Sequence, residues 1–231
     1  MRLQCLSIKK SLLMAQPFWS ALNENPILPL PENFFPQLNY LRNALWYTPR
    51  DEVETDQAFV QFLPYLVLID SAAGTILGYN RPSKNAEARL AGNFSVGIGG
   101  HVDIDDWCAI PESTLKRCME RELNEELGCQ IYEYVRVEPN AGGDCELVDG
   151  AGSVHKLGSY LTPAYLIYDQ SNPVGQVHLG IVYVLDVADL NAGMFTADDN
   201  ELVNLRVMDT SLAFNTPNPE NWTSLVLREF M

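Results

Sequence analysis

The chain has 231 residues, 47% hydrophobic and 10% aromatic, with a formal charge of −15. That apolar content excludes a disordered chain, and 15 basic against 30 acidic residues exclude a nucleic-acid polymer as partner, because phosphate backbones are held by clustered Lys and Arg. Five cysteines without a Cys-x-x-Cys pair exclude a disulfide framework and imply reduced thiols in a cytoplasmic setting.

In chain order, Arg2, Lys9 and Lys10 precede the apolar run SLLMA, but that run is too short for a signal peptide and meets Gln16-Pro17 without a cleavage site. No segment approaches the ~20 apolar residues of a membrane helix, so a soluble protein with no membrane partner is expected. Residues 1–51 hold Pro26, Pro29, Pro31, Pro36 and Pro49 among aromatics. They read as a packed extension in which proline interrupts regular structure, and they offer a surface for a homodimer. The main domain is expected over residues 52–231. It opens with two strands, AFVQFLPYLVLID and TILGYNR, joined by the turn SAAG.

VGIGG (96–100) is a short strand running into glycines. The segment 113–128 reads as a helix with Ser113 as N-cap, Gly128 as its stop and Met119, Leu123 and Leu127 as its apolar stripe. Strands are predicted at 130–137, 159–169 and 176–187, with 139–158 a long Gly-rich loop between them. A strand near 202–207 follows, then a last helix near 222–230 with Pro219 or Asn221 as its entry signal. Strands with helices between and after them define an α/β (α+β) sandwich around a mixed sheet.

The segment RELNEELGC (121–129) places Glu122, Glu125 and Glu126 within an arc of about 100° on one side of the predicted helix. Like charges at this spacing oppose the helix by a few tenths of a kcal/mol per pair. Two arrangements compensate. One is a solvated, charge-laced face, with Lys116 and Arg117 reaching Glu120 and Arg121 reaching Glu125. The other is a divalent cation of the hard class, Mg²⁺ or Mn²⁺, held by carboxylates and aided by a backbone carbonyl from the preceding glycines.

Arg121-Glu122-Leu123-Asn124-Glu125-Glu126-Leu127-Gly128-Cys129 resembles the second half of the Nudix box, Arg-Glu-U-x-Glu-Glu-x-Gly-U with U aliphatic, and Gly99-Gly100 is similar to its glycine start. The chain departs from the pattern in three places. Gly100 lies twenty-one residues before Arg121 where the pattern has fourteen, an insertion of about seven within 102–111; Ser113, beside Glu112, stands at the isolated glutamate; and Cys129 replaces the final aliphatic residue.

The resemblance implies a Nudix-type αβα sandwich and hydrolysis of a small-molecule diphosphate linked to another group, with Mg²⁺ or Mn²⁺ as cofactor. It implies metal ligation by Glu122, Glu125 and Glu126 with the Gly100 carbonyl, and Arg121 holding a glutamate carboxylate. Glu201, just before a predicted strand, is the downstream candidate for a general base. Arg81, Lys84 and Arg89 form the basic cluster nearest the glycines and are the candidates for substrate phosphates. His101 and His178 read as packed structural residues, and three scattered histidines give zinc little support.

A ligand sensor on the same fold is the competing reading. A prenyl-diphosphate isomerase is a third, with Cys108 as the cysteine close to the glycine loop.

Overall fold

In the computed structural model the described residues are 3–82, 91–134, 144–157, 163–198 and 200–231. The elements run β1 (Gln4–Lys9), α1 (Lys10–Met14), α2 (Pro17–Glu24), β2 (Ile27–Pro29), α3 (Phe34–Tyr40), β3 (Trp46–Pro49), α4 (Arg50–Val53), β4 (Phe59–Asp70), β5 (Thr75–Asn80), β6 (Phe94–Ser95) and β7 (Gly97–Ile98). They continue with α5 (Pro111–Leu127), β8 (Gln130–Tyr134), β9 (Asp144–Val148), β10 (Val154–Leu157), β11 (Pro163–Ile167), β12 (His178–Asp186), β13 (Val203–Asp209), α6 (Thr210–Phe214) and α7 (Asn221–Glu229). This is an α+β fold with a large mixed sheet in the order β13-β5-β4-β12-β11-β2 and a second, three-stranded sheet β10-β9-β8.

The chain divides into two compact units, and β4, α5 and β12 each contribute residues to both. The first unit comprises Met1–Tyr65, Gly99–Met119 and Pro163–Val182. In it β1 pairs antiparallel with β3 and with the first half of β4, Ser7 opposite Gln61, while β2 pairs with β11, Leu28 opposite Leu166. The prolines of residues 1–51 therefore do not abolish regular structure there. Pro17 opens α2, Pro29 closes β2 and Pro49 closes β3, while Pro36 falls in the first turn of α3, positions where a missing N–H costs least. Leu6, Ile8, Leu13, Trp19, Leu22 and Phe34 are fully or nearly fully buried.

The second unit comprises Leu66–Ile98, Glu120–Thr162 and Tyr183–Met231. Its centre is the predicted hairpin: β4 and β5 pair with Ile69 opposite Ile76, around a turn with Gly74 at φ +67, a conformation glycine adopts without a Cβ clash. Strand β13 pairs with β5 on its other side, Val207 opposite Leu77. The continuous apolar run of β4 reflects burial on both faces, with Leu66, Val67 and Leu68 at 0% exposure.

Two expectations are corrected. Helix α5 begins at Pro111 rather than Ser113, because proline, lacking the N–H that the first turn cannot use, occupies the opening position. Thr114 ties down the entry instead, its hydroxyl bonded to Cys108 N, Cys108 O and Ile110 O at 3.0 to 3.2 Å. The stretch 139–158, expected to be a loop, contains β9 and β10, with Cys145 opposite Leu157 and Leu147 opposite His155. Cys145 and Leu147 are both fully buried, a two-residue alternation that the surrounding glycines mask. Parts of the predicted strands 130–137 and 159–169 lie outside the described residues; β8 fills Gln130–Tyr134 and β11 Pro163–Ile167, ending two residues short of the prediction.

The β9–β10 turn is organised by Asp149. Its Oδ1 accepts from Ala151 N at 3.0 Å and Ser153 N at 2.8 Å, and its Oδ2 lies 2.9 Å from His155 Nε2. The His155 hydrogen bond first, and then these amides, hold the Asp149 carboxyl below its usual 3.8. A depressed carboxylate stabilises the fold above its unfolded pKa and loses that contribution as pH falls through the lower folded value. Asp149→Asn is therefore expected to melt below wild type near neutral pH, with the difference closing in acid below 3.8; thermal melts of both proteins across pH check this.

Candidate active site

The predicted apolar stripe anchors α5: Met119, Leu123 and Leu127 are at most 1% exposed. Gly128 at φ +69 ends the helix, its N–H donating to Asn124 O at 2.9 Å. The last carbonyls of the helix are satisfied from outside it, Thr196 N donating to Leu127 O at 2.9 Å and Asp198 N to Glu126 O at 3.0 Å. Asp198 O in turn accepts from Glu201 N at 2.9 Å. The segment that caps the helix thus also sets the place of Glu201, whose charge acts on Glu126.

The three carboxylates are graded in exposure. Glu125 is 59% exposed in its side chain, Glu122 13%, and Glu126 is buried at 7%. Arg121 Nη1 donates to Glu122 Oε1 at 2.8 Å and to Glu125 Oε2 at 3.0 Å, so one guanidinium holds both. Glu126 Oε2 is fully buried and has no hydrogen-bond partner among the described residues. Burial, first, pushes the Glu126 carboxyl up to about 8; Arg81 opposes the rise, and Glu122, Glu201 and Glu220 add to it. An orphaned, desolvated carboxylate oxygen beside further acids fits an oxygen-ligated divalent cation.

Arg81 is 15% exposed in its side chain and its Nε donates to Glu220 Oε1 at 2.9 Å. Ser95 Oγ donates to the other oxygen of Glu220 at 3.1 Å, and the guanidinium lies over the Tyr79 ring, 5.3 Å from its centroid. Burial works against the Arg81 charge, but Tyr79, Glu220 and Glu126 more than offset it and the pKa is raised overall. Glu220, at the entry of α7 between Pro219 and Asn221, had no motif to mark it. Lys84 and Arg89 lie outside the described residues. Gly100 belongs to the first unit, where its carbonyl lies 3.8 Å from Cys118 Sγ.

Sequence reasoning also missed a meeting in the first unit. His101 Nε2 and His178 Nε2 are 3.1 Å apart, although 77 positions separate them, and Glu54 Oε2 is 3.8 Å from the first and 3.9 Å from the second. The position of His101 directly after the glycines was the one available signal.

Comparison with known proteins agrees with the fold. The chain superposes on the crystal structure of Tm1382, described as a Nudix hydrolase, with a TM-score of 0.63 at 21% identity, covering 98% of this chain and 97% of that one. The chain thus has the Nudix fold. A NUDIX hydrolase from Alicyclobacillus acidocaldarius covers 74% of this chain and 90% of its own at 14% identity and a TM-score of 0.48, an overlap that adds no argument.

Among curated sequences, Protein YmaB of Bacillus subtilis (strain 168) is 31% identical over 138 residues, 60% of this chain. The match spans 54% of YmaB, so the chain covers about half the length of that relative. No family model matches the chain.

Removing one partner of a buried ion pair leaves the other charge uncompensated. Arg81→Ala is expected to destabilise the protein by about 3 kcal/mol in urea unfolding, and Arg81→Ala with Glu220→Gln to recover part of that loss.

Proposed function

We propose that the chain is a Mg²⁺- or Mn²⁺-dependent pyrophosphohydrolase acting on a small-molecule diphosphate, such as a nucleoside diphosphate linked to another group. The observation that carries this reading is the buried Oε2 of Glu126, without a hydrogen-bond partner among the described residues, on the same helical turn as Glu122 and Glu125. Those three carboxylates are the assigned ligands. A bound divalent ion supplies positive charge against the diphosphate oxygens and acidifies a water.

The chain's own groups do the rest. Arg121 fixes the Glu122 and Glu125 carboxylates at 2.8 and 3.0 Å, which pre-organises the ligand set before substrate arrives. Glu201, tethered through Asp198, is assigned as the base that takes the proton of the attacking water. The water oxygen bonds to phosphorus, the bridging P–O bond breaks, and the departing phosphate carries the electron pair away. Arg81, Lys84 and Arg89 are assigned to the substrate phosphates, Arg81 acting through its ion pair with Glu220. Five free cysteines support a reducing, cytoplasmic setting, and no helix among the described residues is long and apolar enough to cross a membrane.

The experiment is a panel of nucleoside triphosphates, dinucleotides, nucleotide sugars and ADP-ribose, with phosphate products followed with and without Mg²⁺ or Mn²⁺. Turnover is expected for at least one class and is abolished by chelation. Glu125→Gln and Glu126→Gln are each expected to lower kcat at least about a hundredfold, the loss of a few kcal/mol of charge stabilisation. Unchanged turnover in Glu125→Gln would remove the catalytic assignment, and a wild type inert across the panel would make the fold a ligand sensor.

A further inference from the structure

We propose that Glu54, His101 and His178 form a second metal site, specific for a divalent transition-metal ion of the zinc class and separate from the glutamate cluster of α5. Their ligand atoms form a triangle with sides of 3.1, 3.8 and 3.9 Å. The circumcentre of a triangle with those sides, in the plane of the three atoms, lies about 2.1 Å from each, within the range of zinc bonds to imidazole nitrogen and carboxylate oxygen. Two imidazoles and one carboxylate are a borderline donor set, suited to Zn²⁺, Co²⁺ or Fe²⁺ rather than to Mg²⁺.

The three donors are held by rigid surroundings. His178 opens β12, and its Nδ1 donates to Val174 O at 2.8 Å, which turns Nε2 toward the cluster. The Val174 carbonyl is placed by a built turn: Asn172 Oδ1 accepts from Val174 N at 3.1 Å and Gly175 N at 2.9 Å, and Asn172 is itself bound by Asp169 at 3.1 Å. A Cβ on Gly175 would stand 1.9 Å from Asp169 O, so this turn accepts no other residue without moving.

His101 is pinned on both sides along the chain. Val102 O accepts from Leu6 N of β1 at 2.9 Å, Cys118 Sγ donates to His101 O at 3.5 Å, and a Cβ on Gly99 would stand 2.0 Å from Pro64 O. Glu54 closes the end of α4, where Arg50 Nε donates to the same Oε2 at 3.4 Å. Arg50 holds the carboxylate in place, and its charge also opposes the cation.

Exposure falls from 25% at Glu54 to 16% at His101 and 5% at His178 in their side chains. Solvent therefore reaches the trio from the Glu54 side, where a water completes a four-coordinate set. Metal binding replaces the Nε2···Nε2 contact: any proton His101 carries on Nε2 moves to its Nδ1, and both Nε2 lone pairs go to the ion.

The chain has three histidines, which gives a direct reading. The 231-residue chain, freed of metal by chelator, is titrated with Zn²⁺, and the imidazole nitrogens are followed by NMR. One equivalent is expected to shift His101 and His178 at Nε2 and leave His155 in place, while Mg²⁺ moves neither.

Glu54→Gln and His101→Asn are expected to weaken Zn²⁺ binding at least about a hundredfold with circular dichroism unchanged, and Glu122→Gln to leave it intact. If His178→Asn does not fold, the first two variants carry the test. The proposal is overturned if excess Zn²⁺ leaves both histidines unshifted, or if Glu54→Gln and His101→Asn bind as wild type. Neither result bears on Mg²⁺-dependent turnover, which reads the α5 site alone.

Discussion

Burying a carboxylate beside other carboxylates is the constraint around which the second unit is arranged. Moving a charged group out of water costs several kcal/mol unless it is paired or neutralised, and Glu126 reaches 7% exposure with one oxygen unpartnered among the described residues. The helix cannot relieve this by fraying, because Thr196 and Asp198 donate to its last carbonyls. Nor does Arg81 neutralise the site, since its nearest partner is Glu220 at 2.9 Å. Among the described residues, Glu122, Glu125, Glu126, Glu201 and Glu220 stand against Arg81 and Arg121, a concentration of like charge typical of functional sites.

How much of this could be read beforehand depended on the range of the interaction. The β4–β5 hairpin and α5 are local: a continuous apolar run, a glycine turn and an i, i+4 stripe all lie within a few residues, and each element forms where the pattern puts it except for the earlier start of α5 at Pro111. The three glutamates share one helical turn for the same reason. The β9–β10 hairpin was hidden because glycines raise the expectation of loop, while the alternation of Cys145 and Leu147 is two positions long.

Pairings across the chain were not legible. Nothing near Arg81 in sequence names Glu220, 139 positions away, as its partner, and nothing near His101 names His178. The departures from the Nudix pattern have a structural sense at one point. The insertion within 102–111 holds a short 3-10 turn at Ile104–Asp106, tied to α5 through Arg117, which donates to Asp105 O and Trp107 O. Extra residues between the glycines and the helix are thereby packed against the first half of α5 and need not disturb the carboxylates of its second half.

The two clusters differ in donor chemistry in a way that bears on selectivity. The α5 cluster offers carboxylate oxygens and suits a small, hard ion that keeps several waters for exchange with phosphate oxygens. The trio in the first unit offers two imidazoles on a rigid frame and suits an ion that prefers nitrogen and tolerates four ligands. On the proposed assignments the two clusters would select different ions from a mixture, because imidazole nitrogen favours a transition metal and carboxylate oxygen the harder Mg²⁺.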